Sequence, residues 1–262
     1  TAFYIFVIHC LTTEAPYITL KMLTDRNYVI GLFLIFTFGI AVFSSLFILP
    51  LFLQNIQGYP VLSAGWVISS RGLGTMFAMM CSGFLLSMIS GKYLILLGLI
   101  CVGVSNVWMT QWTADVNMQE VIYITIVNGF GMGMMWVALT TVTFSTLEPI
   151  YRVEAASLFS LIRAIGASMG TSVVVSILVR STQANYIEMR EQITEFRSTL
   201  NSIVGGQPFD LRSMVDLRNL ETIVMIEAQM VAFLNDFVFL VVIAFGAIPF
   251  VFLLRGRTKK TS

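Results

Sequence analysis

Residues 29–70 contain no Asp, Glu, Lys or Arg. That is about twice the roughly 20 apolar residues one helix needs to cross a bilayer, so the run must double back. The cluster Asn55-Ile56-Gln57-Gly58-Tyr59-Pro60 supplies the Gly and Pro expected at such a break, which predicts spans over residues 28–53 and 64–89. Ser90-Gly91-Lys92 is the next interruption, and further apolar stretches predict spans at 93–112, 121–147, 155–179 and 237–254. The opening residues 1–11 are apolar but too short to cross, and no basic segment precedes them, so they do not read as a signal peptide. They read as the end of a helix whose first part is missing, and the chain as a fragment.

The short loops divide by charge. Lys21, Arg26, Lys92, Arg152 and the tail Arg255, Arg257, Lys259 and Lys260 fall on one side, whereas the loops near Gly58 and Asp115 on the other side carry no Lys or Arg. The positive-inside rule makes the basic side cytoplasmic, with the C-terminus inside. The long segment 181–236 is then external, and its length exempts its own arginines from the rule. Within it Ile187, Phe196, Leu200 and Ile203 recur near helical spacing among Glu188, Arg190, Glu191, Glu195 and Arg197. Gly205-Gly206-Gln207-Pro208 interrupts before a second amphipathic stretch at about 211–234. The pattern predicts an external helical hairpin, its two halves extending the flanking membrane helices and packing their apolar stripe on each other, contact with a partner being the alternative.

Composition agrees with a membrane protein: 57% of the 262 residues are hydrophobic and 11% charged, against roughly 45–50% and 25% in soluble domains. The 15 basic and 14 acidic residues leave no bulk field to attract nucleic acid. Cys10, Cys81 and Cys101 sit in apolar stretches without metal spacing, and His9 stands alone in the opening stub. A membrane enzyme would need a cluster of His, Cys or carboxylates near one interface; none is present, so the expectation is no enzyme, no metal and no cofactor. All 14 carboxylates fall outside the predicted spans.

Two arginines fall inside spans. Arg71 lies roughly 8–10 Å from the outer end of the second span, where snorkelling toward the interface is one reading. Arg163 lies about 12 Å deep in the fifth, where an unpaired guanidinium costs several kcal/mol. It should face protein or water, with compensation from carbonyls, a cavity or an acid elsewhere. Gly129-x-Gly131-x-Gly133 and Gly166-x-Ser168-x-Gly170 contain the small-residue spacing that lets helices approach closely. Thr37, Ser44, Ser45, Thr125, Asn128, Thr140 and Thr141 are polar positions within otherwise apolar spans, with Phe47, Met132 and Trp136 as adaptable apolar neighbours. From these, Thr37, Ser44, Phe47, Asn128, Met132 and Trp136 are candidate cavity residues.

Several strings in order resemble the C-terminal part of a drug:proton antiporter of the major facilitator superfamily, of the fourteen-helix EmrB/QacA type. They are Leu49-Pro-Leu-Phe-Leu-Gln54, Gly58-Tyr59, Ala64-Gly65 and Arg71-Gly-Leu-Gly74, then Leu139-Thr-Thr141, Glu154-Ala-Ala-Ser157 and Arg163-x-x-Gly166-x-Ser168-x-Gly170-Thr171. Pro16, Leu20 and Arg26-Asn-Tyr28 resemble the linker before the first helix of the C-terminal half. Ser70 and Ala138 stand where many members have Pro, which puts the helix bends of the family in doubt at both places. The resemblance implies an all-α polytopic protein. Residues 1–27 would be a helix end and cytoplasmic linker, and 28–262 a C-terminal six-helix bundle with its hairpin. It further implies export of small amphipathic substrates driven by protons, at a site shared with a missing N-terminal bundle, in the inner membrane, and it admits a periplasmic adaptor as partner. Arg71, Arg163, Gly166, Ser168 and Gly170 become candidates for the coupling path or bundle interface. A non-transporting scaffold, an assembly subunit and an importer of another solute remain open.

Overall fold

The structure is a computed structural model that describes residues 20–195 and 214–254. A short 3-10 helix, Leu20–Thr24, leads into six long helices: α1 Arg26–Asn55, α2 Val61–Met88, α3 Gly91–Met109, α4 Met118–Phe144, α5 Arg152–Glu195 and α6 Met214–Phe252. Five of them, all but α2, are long and apolar enough to cross a membrane among the described residues. At 28 residues α2 also has the length, but Arg71 and its Ser and Gly residues dilute its apolar character.

The breaks lie where the turn chemistry places them. Gly58 has φ +65°, in the left-handed region that favours glycine, and so turns the chain between α1 and α2. Gln57 Nε2 donates to the Ala114 carbonyl at 2.6 Å, tying this loop to the one between α3 and α4. At the opposite end Asp25 caps α1 by accepting from the Tyr28 amide at 3.0 Å, and accepts from the Thr146 hydroxyl at 3.0 Å. Lys92 Nζ donates to the Phe252 carbonyl at 3.0 Å and lies 5.2 Å from its ring, satisfying one of the free carbonyls that end α6. These two ends are called here the hairpin end and the basic end.

Helices α2 and α4 run unbroken through Ser70 and Ala138. Neither position carries a proline that would remove a backbone donor.

The external segment forms extensions of the flanking membrane helices over its described residues: α5 and α6 have 44 and 39 residues, or about 66 and 58 Å at the usual rise. Spans of 155–179 and 237–254 are therefore only parts of these helices. Hydropathy falls where the helical hydrogen bonding does not, because the flanking segments are amphipathic rather than broken. Near the hairpin end Asn185 Nδ2 donates to the Ala228 carbonyl at 3.5 Å, joining the two extensions. Phe196, Leu200, Ile203 and the Gly205–Pro208 interruption lie outside the described residues, as do the stub with His9 and the basic tail.

The packing pairs α2 with α4, α3 with α4, α1 with α5, and α6 with α5, α3 and α1. The glycine motifs make these contacts close. A Cβ at Gly129 would strike the Arg71 carbonyl and one at Gly133 the Thr75 carbonyl, both on α2, while one at Gly131 would strike Gly98 on α3. On the other side of the bundle Gly166 lies against the Phe36 backbone, Gly170 against Ile40 and Ser44, and Gly39 against the Arg163 carbonyl. Two apolar clusters fill the interior. Leu34, Ile35, Phe38, Met135, Leu139 and Phe159 belong to the first. Phe52, Trp112, Phe233 and Phe237 belong to the second, toward the hairpin end.

One expectation fails here. The snorkelling reading of Arg71 is wrong: its side chain turns into the bundle and is 5% exposed. Asp236, one residue before the predicted span 237–254, is fully buried within the continuous helix α6. The α6 helix continues well beyond the apolar run, so a residue that the hydropathy profile leaves at a boundary becomes an interior one.

Candidate functional site

Arg71 joins three helices. From α2 its guanidinium donates to Ser45 Oγ on α1 and to Asn128 Oδ1 on α4. Gly129, beside Asn128, lets the two backbones come close enough for this reach, and Thr75, one turn beyond Arg71, donates to the Gly129 carbonyl at 3.1 Å. Hydrogen bonds to a charged group contribute about 1.5–3 kcal/mol each, yet Nε and Nη1 of Arg71 are buried without a partner. The charge is held by neutral acceptors, with donors to spare.

Arg163 is held differently. It is half-buried on α5, its guanidinium 5.7 Å from the centre of the Trp136 ring on α4 and 5.9 Å from that of Phe43 on α1. A cation over an aromatic face gains about 0.5–1 kcal/mol when exposed and about 2 or more when desolvated. Compensation by two rings is a solution that depth reasoning from sequence does not anticipate. Trp136 is itself packed 5.5 Å from Phe38 and 6.5 Å from Phe159, which fixes its plane.

Around Arg163 the bundle presents an unusual face. Phe43 and Phe47 on α1 are exposed, and α5 exposes Ser157, Ser160, Ala164, Ser168, Ser172 and Ser176 at successive turns. The exposed side of α2 is instead Leu73, Met76, Phe77, Met80 and Phe84. Ser157, Ser172 and Ser176 donate to carbonyls one turn back, and Leu161, Ile165, Met169 and Val173 are exposed along the same helix, so this face is mixed where that of α2 is apolar.

The cavity candidates separate on this background. Phe47 and Trp136 reach the α1–α4–α5 face. Asn128 is committed to Arg71, Ser44 is buried against Gly170, and Thr37 donates to the Phe33 carbonyl at 2.7 Å. Thr37 and Met132 border an internal void of about 10 Å³, room for a single water at most. Ser168 is on the open face, whereas Gly166 and Gly170 lie in the α1–α5 contact. A ligand-sized groove of about 530 Å³ opens elsewhere, between α3 and α4, lined by Ser105, Trp108, Glu120 and Tyr123; Trp108 Nε1 donates to Glu120 Oε1 there at 3.0 Å. Sequence reasoning singled out none of these four, nor Phe43. The serine row was legible as Ser160, Ser168, Ser172 and Ser176 at helical spacing. Among the described residues no group of three or more His, Cys, Asp or Glu is placed to hold a metal ion.

The family described as Major Facilitator Superfamily matches residues 11–171. The chain is similar to the fatty acid resistance protein FarB of Neisseria gonorrhoeae, 27% identical over 75% of this chain and 39% of that protein. It is similar to the multidrug export protein EmrB of Escherichia coli, 23% identical over 71% of this chain and 36% of that protein. The lincomycin resistance protein LmrB of Listeria monocytogenes is 24% identical over 72% of this chain and 40% of its own length. The chain thus spans well under half the length of the relatives it matches.

Proposed function

This chain belongs to the Major Facilitator Superfamily, a family of multi-pass membrane transporters rather than enzymes, and we propose that it is the C-terminal half of a proton-driven exporter of amphipathic small molecules. The observation that carries the reading is the α1–α4–α5 face, where Arg163 sits between Phe43 and Trp136 beside a row of serines. A half-exposed guanidinium beside aromatic rings suits water, substrate or a second bundle better than lipid. Substrate would lie between it and an N-terminal bundle near mid-membrane, with one bundle rocking against the other. Aromatic rings suit drug-like substrates that are largely apolar. The export, multidrug and fatty acid resistance named for the relatives support the direction and the substrate class. Proton coupling follows the family resemblance, and an adaptor protein at the hairpin end would be a further partner.

The basic end is proposed to be cytoplasmic in the inner membrane. Cysteines placed at Gly91, Ser198 and Thr261 in a cysteine-free background test this with a membrane-impermeant thiol reagent on intact cells. Label is expected at Ser198→Cys alone, and label at Thr261→Cys reverses the assignment.

Because alternating access needs two bundles, residues 1–262 reconstituted in vesicles with an imposed pH gradient should give no substrate-dependent proton flux above empty vesicles. The longer protein should give it. Coupled flux from the chain alone as a monomer would refute the half-transporter reading.

A further inference from the structure

Asp236 is the group that the site described above leaves unused. It is fully buried, and neither carboxyl oxygen has a hydrogen-bond partner. It lies 16 residues from the Phe252 end of α6, about 24 Å along the axis, and so still within a hydrocarbon core of about 30 Å if that end marks the membrane boundary. Its neighbours along the helix belong to an aromatic cluster. The next residue, Phe237, has its ring 5.7 Å from that of Trp112 and 6.2 Å from that of Phe52, and Phe233, one turn back, is 5.7 Å from Phe52. Trp112 Nε1 in the same cluster is likewise buried without an acceptor.

Among the described residues no group of opposite charge is placed against it on the elements packed around α6. The elements packed on α6 are α1, α3 and α5. The charged residue of α1 is Arg26 and that of α3 is Lys92, both at the basic end. On α5 the described charged residues are Arg152, Glu154, Arg163, Arg180, Glu188 and Arg190, of which Arg180 is the cation nearest the level of this cluster and is exposed. The other titratable groups on those helices are Tyr28, Tyr93, Cys101 and Tyr186. Asp115 and Glu120, in and after the loop that carries Trp112, are acids themselves. A carboxylate in such a place must be neutralised, paired or hydrated.

We propose that Asp236 is a reversible proton-binding site of this half, loaded from water at the hairpin end. In loading, a water-borne proton forms an O–H bond with one carboxylate oxygen and the side chain goes from −1 to neutral. In unloading that bond breaks and the proton returns to water. The neutral acid is compatible with the closed cluster of Phe52, Trp112, Phe233 and Phe237. The charged form favours an opened cluster in which water, or the Trp112 N–H, reaches the oxygens. Proton occupancy thus biases whether the hairpin ends of α1 and α6 are closed or parted. The role rests on the proton-driven reading above, and the test reads the carboxyl itself rather than transport.

The full chain is reconstituted in phospholipid vesicles and treated with dicyclohexylcarbodiimide, which reacts with protonated carboxyl groups sheltered from water. Peptide masses are mapped over a series from mildly acidic to alkaline pH. The expected result is an adduct on Asp236 that falls several-fold as pH rises, is absent from Asp236→Asn and returns in Asp236→Glu. In the unsubstituted chain a carboxylic-acid carbonyl band in infrared difference spectra should fade over the same pH interval, so the outcome does not depend on either variant folding. No adduct and no band at any pH, or an adduct and band indifferent to pH, overturns the proposal. PH-dependent labelling in a longer protein that shows no proton-coupled transport would instead fault the exporter reading.

Discussion

The two arginines inside this bundle have the same side chain and opposite settings. Arg71 is enclosed, and its charge is spread over neutral acceptors from α1 and α4. Arg163 is half-open, and its charge rests against two aromatic rings beside a row of serines. A charge with fixed hydrogen-bond partners holds helices in register. A charge on π faces keeps its N–H donors available to whatever comes next, be it water, a substrate or an acid of another bundle. The contrast assigns Arg71 to the integrity of the half and Arg163 to its dealings with other molecules.

Breaking the first setting should have the largest effect on stability. Asn128→Leu removes an acceptor and leaves a buried guanidinium with Ser45 alone; by analogy with breaking a buried charge pair it should cost about 3–5 kcal/mol. Arg71→Met keeps the apolar stem and removes the charge, leaving two neutral groups unpaired, at about 1–3 kcal/mol. Combined, the two should be no worse than Asn128→Leu alone, since both polar partners have then gone. Unfolding in detergent measures all three, and simple additivity would show that Arg71 and Asn128 do not act as a unit. Gly166→Ala comes next: its methyl meets the Phe36 backbone, and overpacking of this kind costs about 1–3 kcal/mol. Crosslinking between cysteines placed on α1 and α5 should weaken in step. Arg163→Ala should be the mildest, about 1 kcal/mol, because it removes only half-exposed cation–π contacts. A stability loss as large as that of Asn128→Leu would erase the distinction between the two arginines.

Much of this half is legible in the sequence because the bilayer imposes a simple rule of length and polarity. The uncharged run 29–70 and the Gly58 turn place α1 and α2 within a few residues, and the glycine spacings of α4 and α5 mark real close approaches. What hydropathy does not report is where a helix ends once its surroundings turn amphipathic. The amphipathic stretches flanking the last two spans read as extensions of those helices, but their pattern does not say that Asp236 is buried, although Phe233, Phe237 and Leu240 at helical spacing continue the buried stripe on either side of it. Depth alone did not say which way a long side chain turns. Arg71 goes inward because Ser45 and Asn128 are offered by other helices, and that is tertiary information. The Phe43–Arg163–Trp136 arrangement joins three helices that are distant in the chain, so no local pattern contains it.

The most direct test of the account is the export activity of Arg163 variants in a full-length transporter in which this chain is the proposed C-terminal half. Arg163→Ala should insert and fold like the parent while losing substrate efflux. Arg163→Lys keeps the charge but not the planar fork of donors that stacks on rings, and should retain partial efflux. If Arg163→Ala is made in normal amounts and exports like the parent, the open face of α1, α4 and α5 is not where this half meets its substrate or its partner bundle.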